Sequence, residues 1–179
     1  MTWKVSLTSQ FVAVTTTKYT KWEDFKDHLR FVVDGLLAVY APNFFSRIGL
    51  RYRDLIRRSV LDLVGTNWSK LLKPHVVGEL AFDGAEDSAE TVAKELLLRL
   101  DGPPDPAKVR LFHGLARYMN EPENCYLIDA DFFTESKTES KNVRDAEPTL
   151  DHFNKEAGRL FRWCISDDLH TAMAPTDVA

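Results

Sequence analysis

The stretch RIGLRYRDLI, residues 47–56, decides the expected fold, because apolar and arginine side chains alternate along it. A period of two is typical of a β-strand with one buried face and one exposed face. The positions expected to face a core are Ile48, Leu50 and Tyr52. Three arginines, Arg47, Arg51 and Arg53, are then expected on the opposite side, and the fold must explain what they do there.

The bulk properties predict one globular domain. The chain has 179 residues, of which 44% are hydrophobic and 28% charged, and a chain of this length can bury one substantial core. We expect a single domain over residues 1–173, with a frayed tail over 174–179. The formal charge of −4 means that affinity for an anionic partner requires a local patch.

The cysteine content and the hydropathy indicate the compartment. Cys125 and Cys164 are the two cysteines, which is too few for a disulfide framework, and they lack metal-site spacing. No long apolar run and no leader-like segment is present, so the sequence predicts no membrane association. We expect a cytoplasmic protein.

Periodicity and turn residues predict the order of the elements. Two strands are expected within residues 3–16, followed by a long helix over 20–40 that has a capping-box pattern at Thr20 and Glu23. After the arginine strand, a short helix is expected before Pro74. Further strands are predicted at 76–82, 89–100, 108–119 and 125–133, a flexible polar connector at 134–148, and a last long helix around 150–165.

This order predicts an α+β domain. It would contain an antiparallel sheet of about six or seven strands, with two long helices packed on one face. The layout is analogous to TATA-binding-like and helix-grip-like folds, an analogy of architecture that carries no function.

Several segments together resemble a sporadically distributed bacterial family of unknown function. They are WKVSLTSQFVAVTTTKYTKWEDF, RIGLRYRDLI, YLIDADFF and HFNKEAGRLFRWCIS. The resemblance spans nearly the whole chain and implies no named activity. Asp54 stands where the family pattern has asparagine.

The resemblance also implies that the segment preceding WKVSLT in the family is missing here. A sheet without its first strand would have an exposed edge, which invites pairing with another strand. We therefore expect a protein partner, or self-association as a homodimer, at a sheet edge.

Two interpretations of the arginine row, Arg47, Arg51 and Arg53, remain open. The arginines could form a solvated face paired with acidic neighbours, or they could bind phosphate or carboxylate. Four nearby cations could extend such a patch: Arg57, Arg58, Lys70 and Lys73. Nucleic acid is not the favoured partner, because no recognised motif accompanies the charge.

Asp129 and Asp131 of YLIDADFF are expected on one face of a strand. Such a pair could hold Mg²⁺ for phosphoryl transfer, with Glu95 as a third carboxylate. The alternative is pairing with the arginine row across the sheet, which would fix the strand register.

No nucleophile elbow, phosphate-binding glycine loop or paired-histidine metal motif accompanies these residues. The sequence therefore favours a non-enzymatic binding or interaction module without a cofactor. The alternative is a protein that binds phosphate, nucleotide or nucleic acid through the arginine row, or a metal-dependent phosphoryl-transfer enzyme.

Overall fold

The computed structural model describes residues 3–102, 106–118, 123–139 and 145–174. The strands are β1 (Trp3–Leu7), β2 (Val12–Thr16), β3 (Phe44–Phe45), β4 (Ile48–Ile56), β5 (Ala93–Leu100), β6 (Ala107–Arg117), β7 (Asn124–Thr134) and β8 (Thr138–Glu139). The helices are α1 (Trp22–Tyr40), α2 (Trp68–Leu71), α3 (Pro74–Val77), α4 (Ala85–Ser88), α5 (Glu147–Cys164) and α6 (Asp167–Ala172).

The main sheet has four antiparallel strands in the order β4-β7-β6-β5. The α+β class with antiparallel sheets is thus confirmed. The prediction of one sheet of six or seven strands is wrong, because β1 pairs with β2, and β3 with β8, as separate two-stranded sheets.

The strand predicted at residues 76–82 is also wrong. This segment forms α3, which begins at Pro74, and then a 3-10 turn over Gly78–Ala81. Val76, Val77 and Leu80 are buried, and their spacing places them together on a helical turn. Proline at the first helical position favours this start, since its missing N–H would have no helical partner there.

Helix α1 ends at Tyr40 as predicted, but its start differs from the predicted capping box. Lys21 is the N-cap and provides no side-chain cap. Thr20 donates instead to the Asp24 carboxylate, with an Oγ1–Oδ2 distance of 3.2 Å. At the other end, Ala41 adopts a left-handed conformation with φ of 41°, directly before Pro42.

The core joins one face of the main sheet to α5 and to the short helices α2, α3 and α6. Leu111 and Phe132 of the sheet and Phe153 of α5 are fully buried, and the rings of Phe132 and Phe153 lie 6.2 Å apart. Such burial is the main favourable contribution to folding. One face of each long strand is therefore apolar.

Helix α1 is attached to α5 and to the β1–β2 hairpin. The Trp22 indole N–H donates to Asp151 of α5, with an N–O distance of 2.6 Å, and Arg30 forms two hydrogen bonds with Glu147. On the hairpin, Trp3 stacks on His28 with 3.8 Å between the ring centroids.

Within the predicted connector, β7 extends to Thr134 and β8 pairs with β3. Residues 140–144 of the connector, and residues 175–179 of the predicted tail, lie outside the described residues. Among the described helices, none has the length and apolarity that crossing a membrane requires.

Candidate functional site

The candidate site is the face of the main sheet opposite its apolar core, called here the open face. The register places Arg51, Asp131 and Arg110 side by side across β4, β7 and β6, and in the next row Arg53, Asp129 and Phe112. On β5, the exposed side chains on this face are Glu95, Leu97 and Arg99.

Asp129 is the best-buried charge of the open face, with 7% of its side chain exposed. Arg51 donates to both of its carboxylate oxygens at 2.6 Å, from Nε and Nη2. The Arg53 Nε lies 3.0 Å from Oδ2 of the same carboxylate. One acid is therefore held by two cations, and the hydrogen bonds from Arg51 also raise the pKa of that guanidinium.

The two arginine side chains are each more than half exposed to solvent. The Arg51 side chain is 58% exposed and the Arg53 side chain 64%. Because the acid lies beneath and the bases lie outermost, a partner approaching this surface meets positive charge first. This layering comes from length: an arginine side chain reaches over the short aspartate of the neighbouring strand.

Arg47 reaches the open face from the residue just before β4. Its Nη2 lies 2.9 Å from Oδ2 of Asp131, and its guanidinium lies over the Phe133 ring at 4.7 Å. A Cβ at Gly49 would lie 2.8 Å from Nη1 of Arg47, so the arginine side chain would have to shift if another residue stood there.

The centre of the open face is a shallow depression of about 380 Å³. Its lining residues are Arg51, Arg53, Arg110, Phe112, Leu127, Asp129 and Asp131. Phe112 is 38% exposed, and the Arg110 Nε lies 3.4 Å from Glu95. The arrangement combines fork-shaped donors with an accessible ring, which are suited to binding anions and flat groups.

The predicted arginine row and aspartate pair thus lie together in one sheet, with opposite charges matched across the strands as the sequence indicated. Whether Arg47, Arg51 and Arg53 bind a ligand, or Asp129 and Asp131 a metal, stays a prediction. Among the described residues, no group of three or more side chains is arranged to hold a metal ion.

The predicted third carboxylate is not beside the aspartates. Glu95 lies on β5, opposite Phe112 of β6, so a whole strand separates it from Asp129. The carboxylates of Asp129 and Asp131 already accept hydrogen bonds from Arg51 and Arg47. A bound cation would have to compete with these guanidinium groups.

The predicted extension of the patch is wrong for Arg58 and Lys73. Arg58 bonds to Glu86 and lies over the buried Trp68 ring at 4.6 Å. Lys73 lies 3.9 Å from Asp167, at α6. Both cations therefore belong to the helical side of the molecule, because the chain leaves the sheet after Ile56.

Asp54 is the carboxylate on the opposite, apolar face of β4. It neighbours Ile128 in the register, and no hydrogen bond or ion pair to it is found among the described residues. Burial, with a smaller contribution from the charge of Asp129, raises the pKa of Asp54 to about 6. Unlike Asp129, it has no cation among the described residues that stabilises its charged form.

The members of the open face that the sequence reasoning missed include Arg99, Arg110 and Phe112. The signal was available, since Lys108, Arg110 and Phe112 alternate with buried residues along β6 as the arginines do along β4. Assigning alternate residues of every predicted strand to opposite faces would have identified them.

Comparison with known proteins returned no matching family model, no matching curated protein and no matching solved structure.

Proposed function

We propose that this chain is a binding module without chemistry of its own, and that its open face contacts an acidic surface of a protein partner. The observation that carries the proposal is the layering of charge. The carboxylate of Asp129 is buried under Arg51 and Arg53, whose side chains are more than half exposed. The surface offered to a partner is therefore cationic, although the chain carries a formal charge of −4.

The shape of the surface supports a macromolecular partner. The open face spans four strands, and its depression is broad and shallow, which suits an extended contact better than an enclosed small molecule. Opposite charge across such an interface gives specificity and fast association. Arg110 and Arg53 line the depression, and each has one ion-pair partner among the described residues, Glu95 and Asp129 respectively.

A second candidate is a phosphate-bearing partner, either a nucleotide or a single-stranded nucleic acid. One observation favours it: Phe112 is accessible between Arg110 and the Asp129–Arg53 pair. Bases stack on aromatic rings, and guanidinium groups fork onto phosphate. A metal-dependent phosphoryl-transfer enzyme at Asp129 and Asp131 is a further form of this candidate.

The cellular setting proposed is a reducing compartment such as the cytoplasm. Cys125 and Cys164 are buried cysteines that do not form a disulfide with each other, and burial raises the pKa of the Cys164 thiol to about 12. The resemblance to a sporadically distributed bacterial family supports no particular activity and leaves this proposal resting on the open face.

The test is a binding panel measured by fluorescence anisotropy. It contains a labelled polyglutamate peptide, nucleotides with and without Mg²⁺, and a labelled single-stranded oligonucleotide. We expect the peptide to bind, and the affinity to fall as salt is raised, because the attraction is between exposed charges. The variant R53M/R110M should lose most of this binding, since it removes two outermost cations.

The matched control is K18M/K155M, which removes two exposed cations that lie outside the strands of the main sheet, one after β2 and one on α5. Binding that is equal in the two double variants would contradict the proposal. Binding of the oligonucleotide or a nucleotide, but not the peptide, would replace it with the second candidate. Turnover of a nucleotide with Mg²⁺ would point to the enzyme.

A further inference from the structure

Strand β5 forms one edge of the main sheet. It pairs with β6 along its whole length, Ala93–Leu100, and among the described strands it pairs with no other. Its residues alternate between exposed and half-buried, and Leu97 at its middle is 55% exposed. A regular edge strand with an exposed leucine is a template for another strand.

The opposite edge, β4, is protected against pairing with a second copy of itself. Consider two β4 strands paired antiparallel about a twofold axis, with both open faces on the same side. An axis at Arg51 places Arg51 opposite its own copy, and an axis at Tyr52 places Arg51 opposite Arg53. An axis at Leu50 places Arg53 opposite Arg47. Like charges directly opposite one another are destabilising. Charge therefore disfavours β4 and leaves β5 as the edge available for self-pairing.

The side chains of β5 select one register for such a pair. If the twofold axis passes at Leu97, then Glu95 of each copy lies opposite Arg99 of the other, and the two leucines meet at the axis. Shifting the centre to Leu96 places Glu95 opposite leucine. Shifting it to Leu98 places Glu95 opposite Asp101, a repulsive pair. These registers all keep the two open faces on the same side, because their centres fall on residues.

The surroundings of Arg99 also favour the register centred on Leu97. Within the chain, Arg99 lies directly opposite Lys108 in the β5–β6 register. Lys108 has a carboxylate partner, with 3.6 Å between its Nζ and Oε2 of Glu135, whereas no described carboxylate pairs with Arg99. A glutamate from a second copy would supply that carboxylate. The inward-pointing charge of β5, Lys94, is already neutralised by Glu79 with an Nζ–Oε2 distance of 2.6 Å.

We propose that two copies of this chain associate through β5, with antiparallel pairing centred on Leu97. The two four-stranded sheets then form one continuous eight-stranded sheet. Both open faces lie on the same side of it, which doubles the cationic surface. One short strand per copy buries less than a standard interface of roughly 1,600 Å², so the association is expected to be weak and concentration-dependent.

The test is sedimentation velocity over two decades of protein concentration, on the wild type and the variants E95R and R99E. We expect a monomer–dimer equilibrium for the wild type. Each variant places like charges opposite one another twice, at both symmetry-related contacts, so its dissociation constant should rise about tenfold or more. Circular dichroism melting confirms that each variant is folded, and E23R and K18E serve as charge-matched controls on exposed sites.

The decisive experiment is to mix the two single variants, E95R and R99E. An E95R copy and an R99E copy restore two opposite-charge contacts when they pair with each other, so the mixture should dimerise although neither does so alone. The double variant E95R/R99E should also dimerise as the wild type does. A wild type that stays monomeric at the highest concentration overturns the proposal. Dimerisation of both single variants at wild-type strength, or no rescue on mixing, overturns it equally.

Discussion

The two faces of the main sheet give an aspartate opposite environments: one face provides cationic partners for the carboxylate, and the other does not. On the open face, Asp129 is nearly inaccessible, yet two arginines hold its charge. On the apolar face, Asp54 has no such partner among the described residues, and burial raises its pKa to about 6. The difference shows that burial alone does not decide whether a carboxylate stabilises this sheet. What decides is whether a long cationic side chain on the neighbouring strand lies on the same face.

The comparison extends to the apolar side chains of the two faces. Phe132 is fully buried against α5, whereas Phe112 is accessible to solvent. The same antiparallel strands therefore carry both the core and an accessible surface. We expect the two faces to respond differently to mutation, in stability on one side and in binding on the other.

The largest difference should come from truncating one phenylalanine on each face. Phe132→Ala removes a fully buried ring and should cost about 3–5 kcal/mol of unfolding free energy through lost burial and a cavity. Phe112→Ala should cost only about 1–2 kcal/mol, since 38% of this residue is already exposed to solvent and its ring loses less buried area. Urea denaturation of both variants measures the contrast. Equal losses would break the distinction between the faces.

The next effect concerns the support of Asp129. Arg51→Met removes two hydrogen bonds to a buried carboxylate and should destabilise the fold by about 2 kcal/mol, with Arg53 left as the remaining cation. Arg53→Met, the matched control, removes a single contact and should cost about 0.5 kcal/mol. Thermal melting distinguishes them. An unchanged melting temperature for Arg51→Met would show that the pair does not hold the sheet together.

The smallest effect has the opposite sign. Asp54→Asn should stabilise the fold by about 1–2 kcal/mol at pH 7.5, because the charged carboxylate is disfavoured where it lies. The folded-state pKa is raised to about 6 from an ordinary value of 3.8. The folded state therefore holds the proton longer, and the wild type loses stability as pH rises from about 4 through 6.

The pH profile of unfolding free energy checks this sign. The gain of Asp54→Asn over the wild type should vanish near pH 4 and be complete above about pH 7. Asp168→Asn provides a control that neutralises an exposed carboxylate of α6. A benefit for Asp54→Asn that is the same at pH 4 and pH 7.5 would rule out the raised pKa as its cause.

The sequence predicted the charge matching because period two is a local property. Arg51 and Asp129 could each be assigned to a face from their own strands, and the shared α+β sheet followed from the order of elements. The sheet count could not be predicted in this way. Nothing in the alternation of Trp3, Val5 and Leu7 tells whether the hairpin joins the main sheet or packs on α1 by itself.

Other errors came from patterns that fit two structures. Val76 and Val77 are β-branched and favoured a strand, but Pro74 starts a helix and their contacts with the core keep it. The capping box at Thr20 failed because α1 begins one residue later than the pattern implied. The absence of an ion-pair partner for Asp54 among the described residues could be found only from coordinates, since it depends on which side chains lie across the sheet.

The most direct measurement of the central claim is methyl NMR during titration with the polyglutamate peptide. If the open face is the binding surface, the methyl signals of Leu55, Leu97 and Leu127 should shift, while those of Leu50, Leu111 and Ile128 on the apolar face of the same strands should not. The account predicts this period-two pattern, weakened by salt. Shifts confined to exposed apolar residues of α1, or equal on both faces, would contradict it.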